Sequence, residues 1–480
     1  MLVAGVAAPR PHAVPGFHAT PDRAGAFVLR HLNPAATAPA AGFSPRLDGW
    51  VNVQPLYWRP HGAKHGRLFV ATEKNEVAAL DARTGRALWR VRLGPPGTRH
   101  DMCGNIDPVG VSATPVLDVA RQALFLDAVV GAGHSQRHQL FGLSLIDGHV
   151  LPGFPVEIGA GVRALGGGFN DLLEQNRTAL AMLNGRVFVA FGGYSGDCGP
   201  YHGIVVGIDT RRPHVAAYWS TRAVKGGIWN PGGIVSDGTS LYVATGNTEN
   251  AQGWGGGEAV LRFNRNLRPL DYFVPDNWQK LDTDDLDLGG VNPTLIDAPK
   301  GPTPKLLLAL GKNGVAYLLD RRHLGGISQA IATHPVSADP IRSSTAKFRV
   351  GHDTMVVMNA HGLGCAGEDG VVALRVHATR GQAPSMQTAW CHAIDGRGAP
   401  VVTQNAHGKQ QVVWIFGAEG DERLRAFDGI SGAPLYVSGP TPAPVPHFST
   451  PLIAEHRLYL PAKDTVLAFA LSPAGEPGTP

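Results

Sequence analysis

Short β-forming segments recur along this chain with one grammar, and that recurrence restricts the fold more than any single motif does. The clearest copy runs Leu68-Phe69-Val70-Ala71-Thr72, then Glu76-Val77-Ala78-Ala79-Leu80-Asp81, then Thr84-Gly85, then Leu88-Trp89-Arg90-Val91, with Gln54-Pro55-Leu56-Tyr57 ahead of it. In Asp81-x-x-Thr84-Gly85 the aspartate bonds its own backbone and the glycine supplies a positive φ, so the flanking strands are joined by a tight turn. Related units follow over 114–144, 179–209, 234–263, 293–320, 355–374, 400–428 and 450–469. A period of roughly 50–60 residues and four short strands per unit predict an all-β chain folded as a single β-propeller of eight four-stranded blades. The stretch around 330–350 is the least legible and leaves seven blades open. The last unit lacks its outer strand, and an N-terminal strand near Ser44-Pro45-Arg46-Leu47 is expected to close the last blade and remove the open sheet edges. The expected organisation is an irregular N-terminal arm over 1–43 packed on the surface, the propeller over 44–472, and a disordered tail over 473–480.

Composition agrees with frequent turns between apolar strands: Gly (62) and Pro (38) are abundant, yet 43% of residues are hydrophobic. The net charge of +4 comes with no long basic run, which argues against nucleic acid as a partner. No apolar run approaches the ~18 residues of a membrane span. The apolar start, Met1 to Ala8, lacks a basic segment and fits either the tail of an export signal or an irregular terminus. Four cysteines without a CxxC spacing are compatible with disulfides in an exported protein. Cys365 and Cys391 fall in one repeat and are expected to pair, with Cys103 and Cys198 as the second pair. A periodic β protein with these features is expected to be periplasmic or secreted.

One stretch, Gly226 to Arg321, carries the chemistry. It contains Gly226-Gly227-Ile228-Trp229-Asn230-Pro231, Thr245-Gly246-Asn247, Asp282-Thr283-Asp284-Asp285-Leu286-Asp287-Leu288-Gly289-Gly290, and Lys312-Asn313-Gly314 ahead of Tyr317-Leu318-Leu319-Asp320-Arg321. A flat aromatic, an amide, several carboxylates and a lysine stand at the ends of successive strands. That set suits a flat, anionic, metal-bound cofactor. Each member also has a plainer reading: Trp229 as a wedge between blades, Asn247 and Lys312 as turn residues, and 282–287 as a solvated acidic loop.

The Asp-x-x-Thr-Gly-x-x-Leu-Trp unit resembles the repeat of the pyrroloquinoline quinone (PQQ) propellers. That superfamily holds quinoprotein alcohol dehydrogenases and also non-enzymatic relatives such as the assembly lipoprotein of the BAM complex. The 226–321 stretch resembles the dehydrogenase site in order and approximate spacing. The resemblance implies that Trp229 stacks on PQQ, that Asn247 ligates Ca²⁺, that Asp287 is the catalytic base beside that metal, and that Lys312 holds the quinone oxygens. Arg177 is a further candidate for a cofactor carboxylate. Asp197 stands nearest to the family's metal-ligating glutamate. Gly289 occupies the place of an additional aspartate in lanthanide-dependent relatives, which makes calcium the expected metal. Two family features are absent: the adjacent Cys-Cys pair is reduced to Cys103, and Pro108 lies where an arginine is expected. The implied function is a PQQ- and Ca²⁺-dependent dehydrogenase of an alcohol or sugar, with an electron-acceptor protein as partner. The rivals are a cofactor-free binding or assembly scaffold and a polysaccharide- or surface-binding module.

Overall fold

The computed structural model describes residues 13–29, 32–98, 103–249, 253–299, 301–363, 365 and 370–471. The readings made of the first eight residues and of 473–480 lie outside them. The repeat grammar becomes eight antiparallel sheets. Their first strands are Leu56–Trp58, Val116–Asp118, Ala181–Leu183, Val235–Ser236, Thr294–Asp297, Ala346–Val350, Val401–Gln404 and Leu452–Ala454. In each blade the chain then steps outward, so the first strand lines the axis. The last strand faces solvent, as the alternating exposure of Ala87–Arg92 shows. The fold is therefore an eight-bladed β-propeller.

The repeated motif explains how blades join. Asp81 Oδ1 accepts hydrogen bonds from the Arg83 and Thr84 amides and the Thr84 hydroxyl, and Gly85 turns the chain at φ 73°. The outer-strand tryptophan then docks on the equivalent turn of the next blade. Trp89 Nε1 donates to Leu145 O at 3.4 Å, and Trp390 Nε1 donates to Gly429 O at 3.0 Å. Each indole thus buries its apolar face and satisfies its N–H at one neighbour. The core is a succession of apolar layers between adjacent blades, such as Leu261, Val243 and Phe188 between the third and fourth. Burying one such side chain contributes roughly 1.5–3 kcal/mol.

The poorly legible region resolves into two real blades. Ala332–Pro335 is the outer strand of the fifth blade and Ala346–Val350 the inner strand of the sixth. Between them and the fifth blade's third strand, Gly326–Ser328 departs to pair in parallel with Pro269–Pro275 of the fourth blade. That excursion breaks the sequence period.

The N-terminal segment differs from the surface arm expected. The closing strand of the eighth blade is Ala38–Pro39, paired with Phe469 and Ala470, a few residues before the stretch the sequence pointed to. Residues 44–51 still contact that blade, through the Leu47 and Val51 amides and the Pro45 carbonyl. Upstream, the arm runs along the axis. Ala13–Val14 pairs with the inner strand of the first blade, and Ala26–Val28 pairs in parallel with that of the seventh. Val14, Phe17, His18, Arg23 and Phe27 are all buried. Inner strands leave backbone groups facing the channel, and the arm supplies their partners.

Both expected cysteine pairs are present. Cα separations are 5.7 Å for Cys103–Cys198 and 6.1 Å for Cys365–Cys391, within the reach of a disulfide.

One buried ion pair within the second blade also reaches the third through a hydrogen bond. His138 Nδ1 lies 2.7 Å from Asp127 Oδ2, and its Nε2 lies 2.9 Å from Glu174 O. Both partners are acceptors, so the ring carries two N–H groups and is an imidazolium. Burial opposes that charge, but the Asp127 carboxylate outweighs burial and raises the His138 pKa. A histidine with a raised folded pKa contributes stability that is fully present below its unfolded value, near 6.5, and is lost as pH rises through the folded value. The Tm difference between the native protein and His138→Gln should therefore be largest below pH 6.5 and shrink in alkaline buffer. A difference independent of pH would remove the charge from this role.

Candidate active site

The loops that enter the inner strands and the hairpins between second and third strands open on the same end of the propeller. Trp229 lies in the loop entering the inner strand of the fourth blade, and Asn247 follows that blade's second strand, Leu241–Ala244. Asp287 precedes the turn Leu288–Gly290, which leads into the fifth blade. Lys312 sits in the hairpin between Lys305–Leu310 and Val315–Asp320. Four residues from two consecutive repeats therefore meet at one end.

Asp287 is the centre of the group. It is 2% exposed. Its Oδ1 accepts the Asn247 amide at 2.7 Å, and its Oδ2 lies 2.5 Å from Lys312 Nζ. The same ammonium donates to Asp285 Oδ1 at 2.8 Å and stands 5.5 Å from the centre of the Trp229 ring. Carboxylate and indole are thus both gathered around the Lys312 ammonium. Burial raises the Asp287 pKa, and Lys312 pulls against that rise. Lys312 is raised in turn: burial opposes it, and Asp287 and Asp285 prevail.

The glycines here are geometric requirements. A Cβ on Gly246 would stand 2.4 Å from Asp287 Oδ1, and one on Gly289 would stand 2.7 Å from the Gly246 nitrogen. Gly246 lets the carboxylate reach the Asn247 amide. Gly289 leaves no room for an aspartate side chain without backbone movement.

Sequence reasoning missed Glu258. It is fully buried, accepts the Leu288 amide on Oε2 at 2.7 Å, and leaves Oε1 without a partner among the described residues. Burial, then the charge of Asp287, holds its carboxyl well above the usual range. Its φ of 49° is a left-handed conformation that a non-glycine residue rarely keeps without cause. The signal was a lone carboxylate heading the apolar run Ala259-Val260-Leu261, behind three glycines. Asp282 was named only as part of the acidic loop. It accepts both the amide and the hydroxyl of Thr248, so it braces the loop that carries Asn247.

The other candidates lie further out. Asp197 is exposed, next to Cys198, and accepts the Tyr201 phenol at 2.6 Å. Tyr201 stands between the two regions: burial raises its pKa first, then the charge of Asp197, with a smaller push from Asp287. Arg177 lines an axial cavity of about 550 Å³ together with Asn105, Pro108, Pro231 and Phe448. It donates to Asn105 Oδ1 at 3.1 Å, and its guanidinium lies 5.2 Å from the centre of the Phe448 ring. Trp229, Asp287 and Lys312 do not line this cavity; Pro231 links the two regions. Among the described residues, no three His, Cys, Asp or Glu side chains are grouped as a metal site.

A model of the outer membrane protein assembly factor BamB matches residues 44–103 and 63–254. No curated protein matches the chain by sequence. Among solved structures, the quinohemoprotein alcohol dehydrogenase of Pseudomonas putida HK5 superposes with TM-score 0.67 at 14% identity, over 98% of this chain and 82% of that one. The quinohemoprotein alcohol dehydrogenase of Comamonas testosteroni gives 0.66 at 16%, over 99% and 82%. A europium-containing methanol dehydrogenase gives 0.64 at 14%, over 96% and 98%. At such identities the likeness shows the fold. The family match covers 44–254, less than half of the chain, and together with the repeat motif it makes the chain similar to the PQQ-like β-propellers.

Removing one partner of a buried ion pair leaves an uncompensated charge and costs about 3–5 kcal/mol. Asp287 is therefore not the neutral loop position its sequence context suggests. Urea unfolding of Asp287→Ala should show a loss of about 3 kcal/mol. Adding Lys312→Met should recover part of it, because a half-buried ammonium left with only the exposed Asp285 is removed. Costs that simply add in the double variant would mean that the two groups are not coupled.

Proposed function

We propose that this propeller is a PQQ-dependent dehydrogenase that oxidises an alcohol or a sugar, with Ca²⁺ as its metal. The observation that carries the reading is the placement of Lys312, bonded to Asp287 and set against the Trp229 ring. The residues fit the organic cofactor: an indole face, one ammonium for quinone oxygens, and the Arg177 guanidinium on the adjoining cavity for a carboxylate. When bound, PQQ supplies an electrophilic carbonyl that accepts hydride. Asp287 takes the proton of the substrate hydroxyl. Lys312 keeps that carboxylate ionised against its burial, and Glu258 beside it stays protonated, so two neighbouring carboxyls hold different protonation states.

For the metal the fit is partial. Asn247 adjoins Asp287 through its backbone amide, while both Asp287 oxygens already accept hydrogen bonds and Asp197 bonds to Tyr201. Calcium takes about 6–8 oxygens, so these residues form only part of its shell. Metal and cofactor are then expected to bind together. The bare Gly289 favours calcium over a lanthanide that needs a further carboxylate. Two disulfides support an oxidising location, periplasmic or secreted. An electron-acceptor protein is the expected partner. Among the described residues no helix is long and apolar enough to cross a membrane.

A second reading, a cofactor-free assembly scaffold, is favoured by the BamB family match and by the internal saturation of Asp287. Purified protein incubated with PQQ and Ca²⁺ and then passed through a desalting column separates the two. The dehydrogenase reading expects retained quinone absorbance, lost with a chelator, and dye-linked alcohol oxidation abolished in Asp287→Asn. Protein that emerges free of quinone at saturating PQQ supports the scaffold.

A further inference from the structure

The N-terminal arm divides the propeller axis in two. Phe17 lines the axial cavity of about 550 Å³ that also holds Arg177. Pro21, Asp22, Ala24 and Ala26 line a separate groove of about 1340 Å³. Inner-strand amides from four blades donate to arm carbonyls: Leu117 to Pro15 at 2.7 Å, then Ser236 to Pro21, Lys347 to Ala24 and Val402 to Gly25, each at 2.8 Å.

Arg23 is the centre of this segment. It is 4% exposed, and no carboxylate among the described residues forms an ion pair with it. Its Nε donates to Ile234 O at 3.2 Å, Nη1 to Phe17 O at 3.1 Å, and Nη2 to Leu180 O at 2.7 Å. One guanidinium thus ties the arm to the third and fourth blades. Burying a charge costs several kcal/mol even after relaxation, and an apolar side chain would fill a channel at less cost. What arginine adds is a planar fork that fixes three carbonyls at once. The fixed element is Phe17, whose ring stacks on His18 at 4.3 Å and lies 6.0 Å from the Arg23 guanidinium.

We infer that residues 13–29 are an intramolecular plug that makes the axial cavity one-ended, with Phe17 as the floor that sets its depth and Arg23 as the pin that holds it. A ligand of this cavity then enters and leaves only at the opposite end, where Trp50, Lys74, Asn105 and Glu419 stand. The side chain of residue 17 then limits how far a planar ring can descend. The extension to PQQ rests on the function proposed above; the plug itself does not.

The four cysteines form two disulfides, so Phe17→Cys places a single free thiol at the floor. Labelling by methyl methanethiosulfonate and by a maleimide on a polyethylene glycol chain is followed by mass. The small reagent should label the thiol and the bulky one should not. Adding Arg23→Ala, or the milder Arg23→Lys if alanine prevents folding, should admit the bulky reagent. Bulky labelling of Phe17→Cys alone, labelling by neither reagent, or a pattern unchanged by the Arg23 variants would each overturn the plug. Prior addition of PQQ and Ca²⁺ should protect the thiol from the small reagent. Size-selective labelling without that protection keeps the plug and removes the cofactor from this cavity.

Discussion

Eight inner strands converge on one axis with their backbone edges toward the channel, and those amides and carbonyls need partners. The rest of the structure depends on how that need is met. Outward, each inner strand is paired by its own blade. Inward, the arm supplies partners through short strands on the first and seventh blades and single hydrogen bonds to the second, fourth and sixth. The eighth blade is completed by Ala38–Pro39 from the same segment. Residues before the first repeat therefore close the ring and fill its centre, and sheet edges are left neither open nor dry.

With the axis closed from one side, the candidate site lies at the other. The loops entering the fourth and fifth blades bring Trp229 and Asp287 there, and the hairpins bring Asn247 and Lys312. Electrostatics then divides the labour. Asp287 and Glu258 are both buried carboxyls, and both are pushed upward. Only Asp287 has an ammonium in contact. That asymmetry would let one group act as a base while its neighbour keeps its proton. The left-handed backbone at Glu258, Asp285 and Asp197 places three carboxylates in conformations that the surrounding loops must hold.

Much of this was legible in the chain. The turn aspartate, the glycine and the outer-strand tryptophan recur because each blade needs the same turn and the same docking contact, so the period carried the fold. The blade near 330–350 was obscured because Gly326–Ser328 leaves its own blade to pair with the previous one, and no local pattern announces a parallel excursion. Trp229, Asn247, Asp287 and Lys312 were legible as a group through their order. Their contacts were not, because an ion pair between loops of one blade and an indole from another is a matter of distance.

The sequence by itself determined strand spacing, turn chemistry, the blade count within one, and the pairing of Cys365 with Cys391, since these depend on residues close in the chain or on repetition. Tertiary structure alone decided three things. It buried the arm, because the channel that the arm fills exists only once the ring has closed. It made Asp287 a buried member of an ion pair instead of a solvated loop acid, because desolvation is a property of the packed neighbours. It also set Glu258 against Asp287, because the chain runs 30 positions from Glu258 to Leu288, through a whole outer strand, before it folds back. Local chemistry wrote the blades, and the closed ring supplied the site with its low dielectric.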